Sequence, residues 1–140
     1  VLPEFQELKD TNVKSALEDA ELPFHLAYDK DGNFIGAAVE TFTNKGFSGN
    51  ISLMVGILAD GTVNNISVLQ HAETPGLGSK MSEPSFKDQF NNKHADSFNF
   101  NVKKDGGDVD AITAATISSR AFCDAVNRAI STFENNKGGF

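Results

Sequence analysis

The chain predicts an α+β fold, a largely antiparallel sheet with one C-terminal helix packed on it, and three observations carry that reading. Several segments alternate apolar and polar residues at the strand period and are joined by short Asp/Gly/Asn turns, the pattern of hairpins. A Gly/Pro-containing stretch then interrupts the ladder, because proline cannot donate to it. The final segment places Phe122, Val126, Ala129, Ile130 and Phe133 at helical spacing, so one long amphipathic helix closes the chain.

Phe5 to Ala20 mixes charges with Phe5, Leu8, Val13, Ala16 and Leu17 in a loose helical pattern that Pro23 ends. Phe24–Tyr28 and Phe34–Val39 read as strands meeting across Asp29–Asn33. A loop over Asn44–Asn50 precedes a strand in which Ile51, Leu53, Val55 and Ile57 share one face. Ala59–Thr62 closes a second hairpin, with Val63 to Leu69 as the returning strand. Glu73 to Lys80 must be a shaped loop, and Ser85 to Phe90 a short helix. Phe98, Phe100 and Val102 alternate as a last short strand, broken by Gly106-Gly107-Asp108 before the helix that begins near Thr113 to Ile117.

Composition bounds the function. A chain of 140 residues is the size of one domain and can bury a real core. Twelve Phe against one Tyr and no Trp fill that core with bulky groups that need no buried hydrogen-bond partner. The formal net charge of -7 argues against nucleic acid or an anionic membrane surface as the main partner. The sole cysteine, Cys123, excludes an intrachain disulfide framework. His25, His71 and His94 are too scattered to suggest a metal site. No nucleophile elbow supports a hydrolase, and Gly76–Lys80 lacks the spacing of a nucleotide-binding loop.

The run Asp110-Ala111-Ile112-Thr113-Ala114-Ala115-Thr116-Ile117-Ser118-Ser119 places small hydroxyl residues where a loop becomes a helix. Unpaired N–H groups and the positive end of the helix dipole favour an anion there, and Ala114 and Ala115 leave the backbone uncrowded. Local chemistry alone favours the hydroxyls of Thr116, Ser118 and Ser119 as helix caps, the commoner use of such residues.

This run resembles the flavinylation motif of covalent FMN-binding domains: an acidic residue, a Thr or Ser, a Gly-Ala pair, then the acceptor Thr. His71-Ala72-Glu73-Thr74-Pro75-Gly76-Leu77-Gly78-Ser79-Lys80 is similar to a second signature of that family, in the expected order upstream. Gly46 to Leu58 resembles the G subunits of Rnf-type electron-transport complexes, and less closely the related NqrC proteins of sodium-translocating NADH:quinone reductase. The resemblance covers roughly Asp29 to Phe133. One position departs from the motif, Ala114 standing for its glycine, and a backbone needing positive φ there would be strained.

The resemblance implies FMN joined through its phosphate to Thr116, at the N-terminus of the last helix, by a flavin transferase drawing on FAD. Asp110 and Thr113 match positions read by the transferase, Ala114, Ala115, Ile117 and Ser118 surround the acceptor, and Glu73, Thr74, Leu77 and Gly78 match the loop near the isoalloxazine. No catalytic residue and no metal are implied. The implied protein is an extracytoplasmic electron carrier in an ion-translocating complex working between ferredoxin and NAD, partnered by membrane subunits. It would be held to the inner membrane, on its periplasmic side, by an N-terminal helix missing from this chain. Residues 1–22 would then be a helical membrane-proximal segment and 23–140 the FMN-binding domain. A flavin carrier of another reductase and a non-redox extracytoplasmic binding module are the alternatives.

Overall fold

The computed structural model describes residues 1–14 and 21–140. Five strands form one sheet in chain order: β1 (Glu7–Lys14), β2 (Glu21–Tyr28), β3 (Phe34–Gly46), β4 (Gly49–Leu58) and β5 (Val63–Gln70). Each is antiparallel to the next, and a long helix from the chain's end lies across β3 and β4, so the α+β architecture is as the sequence predicts. Both expected hairpins form for the expected reason. Asp29 Oδ1 accepts the N–H groups of Asp31 and Asn33, each at 2.9 Å, and Asp60 Oδ1 accepts that of Thr62 at 2.9 Å. These aspartates close their turns locally, and Gly32 and Gly61 supply the left-handed backbone, at φ 81° and 94°.

Register decides which face is buried. Pairing Val39 with Val55 and Thr41 with Leu53 puts Ala37, Val39, Thr41 and Thr43 on the same face as Ile51, Leu53, Val55 and Ile57. The second helix, α2 (Thr116–Asn136), covers that face with Phe122, Val126, Ala129, Ile130 and Phe133, all buried. Each large side chain of this stripe contributes about 1.5–3 kcal/mol on leaving water. Polar contacts fix its placement along the sheet: Thr41 donates to the Ala125 carbonyl at 2.9 Å, and Thr43 to Asp124 at 2.8 Å. The first helix, α1 (Pro84–Lys87), continues into a single 3-10 turn, Asp88–Phe90, close to the expected short helix. Phe86 and Phe90 pack against Phe122 with ring centroids 5.0 Å apart in each pair.

Two expectations are corrected. The N-terminal segment is not helical where it is described: Glu7–Lys14 is the edge strand β1, paired from Glu7↔Tyr28 to Lys14↔Glu21, while residues 15–20 lie outside the described residues. The apparent stripe was not a buried face, since Leu8 is exposed and Val13 alone of the strand is buried; the open edge of β2 overrides so weak a periodicity. Phe98 to Val102 is a loop with a single parallel bridge, Val102↔Val109, rather than a strand. There Phe100 stacks on Phe90 at 6.1 Å, so the alternating apolar residues record burial in a side cluster and not a ladder.

β1 is held on its polar face by His25 of β2, whose Nδ1 lies 2.6 Å from Asp10 and whose Nε2 lies 2.8 Å from Glu40. A neutral imidazole has one N–H, so bonding both carboxylates requires the imidazolium. Burial pulls the pKa of His25 down, but the bonds and charges of Asp10 and Glu40 outweigh it and raise it above 6.5. The stabilisation is therefore fully present below pH 6.5 and is lost as pH rises through the higher folded value. Raising pH from about 6 to about 9 should speed amide exchange in β1 more than in β4, and His25→Gln should remove that difference. A ratio of β1 to β4 exchange rates that does not change with pH in the parent chain would exclude the bridge.

Candidate functional site

β3 extends through residues expected to be loop, and the chain reverses at Phe47-Ser48 before β4 begins at Gly49, where φ is 107°. This tight turn leaves Phe47 66% exposed and aims two adjacent backbone N–H groups at one acceptor. Glu73 is that acceptor: Oε1 takes the Phe47 N–H and Oε2 the Ser48 N–H, both at 2.8 Å. Ser118, in the first turn of α2, donates its hydroxyl to Oε1 at 2.6 Å. One carboxylate, only 4% exposed, thus joins the β3–β4 turn, the loop after β5 and the start of α2. Burial works to raise its pKa, but the bonds from Ser118, Ser48 and Phe47 prevail and the carboxyl lies below its ordinary 4.5.

The loop carrying Glu73 is closed on itself. The Thr74 carbonyl accepts the N–H groups of Leu77 and Ser79 at 3.1 and 3.2 Å, and the Ser79 hydroxyl accepts the Gly76 N–H at 3.0 Å. A single 3-10 turn, Gly78–Ser82, follows. Gly78 is there for want of space: a Cβ on it would overlap Ser118 Oγ and come within 2.7 Å of Glu73 Cβ.

The helix start lacks the side-chain cap that hydroxyls at this position commonly provide. α2 begins at Thr116, its N-cap is Ala115, and no side chain caps it. Ser118 is committed to Glu73. The Ser119 hydroxyl accepts the Ile112 N–H and donates to the Ala115 carbonyl, each at 2.9 Å, which folds the preceding loop back on the helix. Among the described residues Thr116 Oγ1 has no hydrogen-bond partner. Ala114 sits at φ 61°, the left-handed region where an alanine Cβ costs about 1–2 kcal/mol relative to a relaxed backbone. The strain anticipated for alanine at this motif position is present.

Phe47, Thr74, Leu77, Gly78, Ala114, Ala115, Thr116, Ile117 and Ser118 line one cleft of about 350 Å³. Its rim is apolar and open, with Leu77 39% and Ile117 49% exposed beside Phe47. Eight of the residues singled out from sequence converge here, and Glu73 stands directly behind the wall. Asp110 and Thr113 do not join them; they line a separate depression with Lys80, Glu83, Ser85 and Gln89. The Asp110 backbone is held by both ends of the Gln89 amide, and its carboxylate pairs with Lys103 at 2.7 Å, leaving it at the surface. Phe47 was missed. The signal was a bulky aromatic between glycines at a strand reversal, where no core can receive it.

The residues fit a group with an anionic end and a planar apolar end. An uncapped helix N-terminus and a free hydroxyl suit a phosphate, the exposed rim suits a ring, and Gly78 leaves the space a Cβ would fill.

Comparison with known proteins agrees with that chemistry. A family model described as FMN-binding domain matches residues 46–131. The G subunit of the ion-translocating oxidoreductase complex of Shewanella baltica is 40% identical over 85% of this chain and 58% of its own length. Its namesake from Methanosarcina acetivorans is 39% identical over 89% of this chain and 66% of its own length. The chain thus spans about three-fifths of the length of such relatives. The crystal structure of NqrC from Shewanella oneidensis shares the fold, with a TM-score of 0.63 and 22% identity over 88% of this chain and 64% of that one. So does the corresponding protein of the sodium-translocating NADH-quinone reductase of Parabacteroides distasonis, with a TM-score of 0.66 and 22% identity over 84% and 63%.

The clamp and the strained alanine make opposite stability predictions. Glu73→Ala leaves two backbone donors and a hydroxyl without their acceptor and should cost about 3 kcal/mol in denaturant unfolding. Because the Glu73 pKa is depressed, its contribution is present above pH 4.5 and lost as pH falls through the folded value, a slope absent from Glu73→Ala. Ala114→Gly should stabilise by about 0.5–1 kcal/mol, the relieved strain outweighing the added freedom of the unfolded chain. A destabilised Ala114→Gly would mean the left-handed backbone is not maintained in solution.

Proposed function

The chain belongs to the FMN-binding domain family, and we propose that it carries FMN covalently, through a phosphoester to Thr116 Oγ1, as an electron-transfer subunit of a membrane ion-translocating oxidoreductase. One observation carries the choice of acceptor. Two hydroxyls in the cleft have no partner among the described residues, Thr116 and Thr74, and of these Thr116 alone stands at the uncapped N-terminus of α2, where helix N–H groups can receive a phosphate. Ser118 and Ser119 are buried and bonded, and Thr113 faces the other depression.

The residues divide the work. The first turn of α2 offers backbone N–H groups and about half a positive charge to the phosphate. Phe47, Leu77 and Ile117 would hold the ring by apolar contact, with Gly78 allowing close approach. When bound, FMN supplies the electron chemistry, and this chain needs no acid or base of its own for it. Attachment belongs to a separate flavin transferase acting on FAD. There Thr116 Oγ1 replaces AMP on the phosphorus and gives up its proton, while the surface placement of Asp110 and Thr113 leaves both open to that enzyme.

The names of the relatives support the larger assignment. The G subunits of ion-translocating oxidoreductase complexes share this domain at 36–43% identity, and the proposed partners are the membrane subunits of such a complex, of the type that works between ferredoxin and NAD. Among the described residues no helix is long and apolar enough to cross a membrane. The proposed location is the periplasmic side of the inner membrane. A tether suits that location, since a covalent cofactor keeps its effective concentration whatever the level of free flavin.

Co-expression with a flavin transferase should add the mass of one FMN less water, and peptide fragmentation should place it on Thr116. Thr116→Ala should lose the adduct and keep the fold, while Asp110→Ala should slow labelling without moving its site. A label retained by Thr116→Ala sinks the acceptor assignment, and an unlabelled parent chain beside a labelled control domain sinks covalent carriage.

A further inference from the structure

We propose that the buried Glu73 carboxylate is a fixed negative charge that holds down the reduction potential of a flavin carried at Thr116, an inference that rests on the function proposed above. Position comes first. Phe47, Gly78 and Ser118 form part of the cleft wall, and each is in contact with Glu73, the first and last by hydrogen bonds and the glycine by the approach that excludes a Cβ. The carboxylate is therefore one residue's thickness behind the surface that would hold the ring.

Its charge is real and only partly compensated. Backbone N–H groups can only donate, and they reach both carboxylate oxygens, which is the arrangement of an ionised group. Among the described residues no lysine or arginine acts on it. A protonated His71 would help hold the carboxyl low, but with its Nδ1 accepting the Glu73 N–H at 3.0 Å the ring is neutral. The start of α2 offers roughly half a positive charge, less than the full negative charge it faces. Water is kept off the carboxylate itself, so its field is screened less than that of a surface charge, and a further negative charge brought into the cleft by electron uptake is opposed.

The test is a redox titration of flavin-loaded protein with dithionite against a reference dye, for the parent, Glu73→Gln and Ser118→Ala. Removing the charge in Glu73→Gln should raise the reduced-to-oxidised ratio at fixed solution potential by about tenfold. Ser118→Ala loosens the same clamp but keeps the charge, so its ratio should be unchanged or lower. Equal ratios in parent and Glu73→Gln overturn the inference, as does a rise in Ser118→Ala matching that of Glu73→Gln, which would trace the effect to loosened geometry. Intact mass on the same samples separates the two claims: an adduct with unaltered ratios sinks the charge effect alone, and a missing adduct sinks the attachment. Carboxyl NMR of the unloaded chain supplies a readout without flavin; a Glu73 carboxyl protonated at about pH 7 overturns the inference in either case.

Discussion

The site exists because one buried carboxylate has three donors. Phe47 and Ser48 belong to a strand reversal, Glu73 to the loop after β5, and Ser118 to the last helix, and these segments are far apart in sequence. An isolated carboxylate in that position would cost several kcal/mol to desolvate. With two backbone donors and a hydroxyl it is stabilised in its charged form, and each donor is in turn immobilised. The wall of the cleft is thereby tied together by directional bonds. Gly78 completes the arrangement, because any side chain there would push Ser118 away from Glu73.

A second set of constraints places the helix end that the carboxylate grips. The phenylalanine cluster beneath α2 supplies nondirectional burial, which would tolerate sliding along the helix axis. Thr41 and Thr43 remove that freedom by bonding Ala125 and Asp124, and Asp124 also holds Arg128 at 3.1 Å. Thr116 is thus set by polar contacts at both ends of the first three turns of α2. The left-handed Ala114 is a local cost of the same geometry: the loop must reverse sharply enough for the Ser119 hydroxyl to receive Ile112.

What was legible in the sequence follows from this division. Turns closed by Asp29 and Asp60 are local, so both hairpins could be read directly, as could the stripe of α2. The strain at Ala114 was legible as a conditional, because a glycine position filled by alanine has one conformational meaning. Edge strand β1 was not, since its exposed residues carry no burial period and its pairing is decided by β2. The hydroxyls at the start of α2 looked like caps because capping is local, whereas Ser118 answers to Glu73, 45 residues away. Only the tertiary structure assigns that partner. Asp110 and Thr113 were grouped with Thr116 by a linear motif, but the turn through Ala114 sends them to a different surface.

The shape of the cleft bears on why a covalent link would be useful. Phe47, Leu77 and Ile117 remain substantially exposed around it, so any ring they hold keeps part of its surface in solvent. Small-molecule sites that rely on affinity bury most of their ligand, and a shallow rim forgoes much of that apolar gain. The proposed ester at Thr116 would make the deficit irrelevant to occupancy, since the loss of translational freedom would be settled once, at attachment. The same openness then becomes an asset for a carrier, because an exposed ring edge can approach an electron donor or acceptor without a lid moving. Rigidity behind the ring and exposure in front of it are met by different residues: the Glu73 clamp supplies the first, and the uncovered Phe47, Leu77 and Ile117 leave the second.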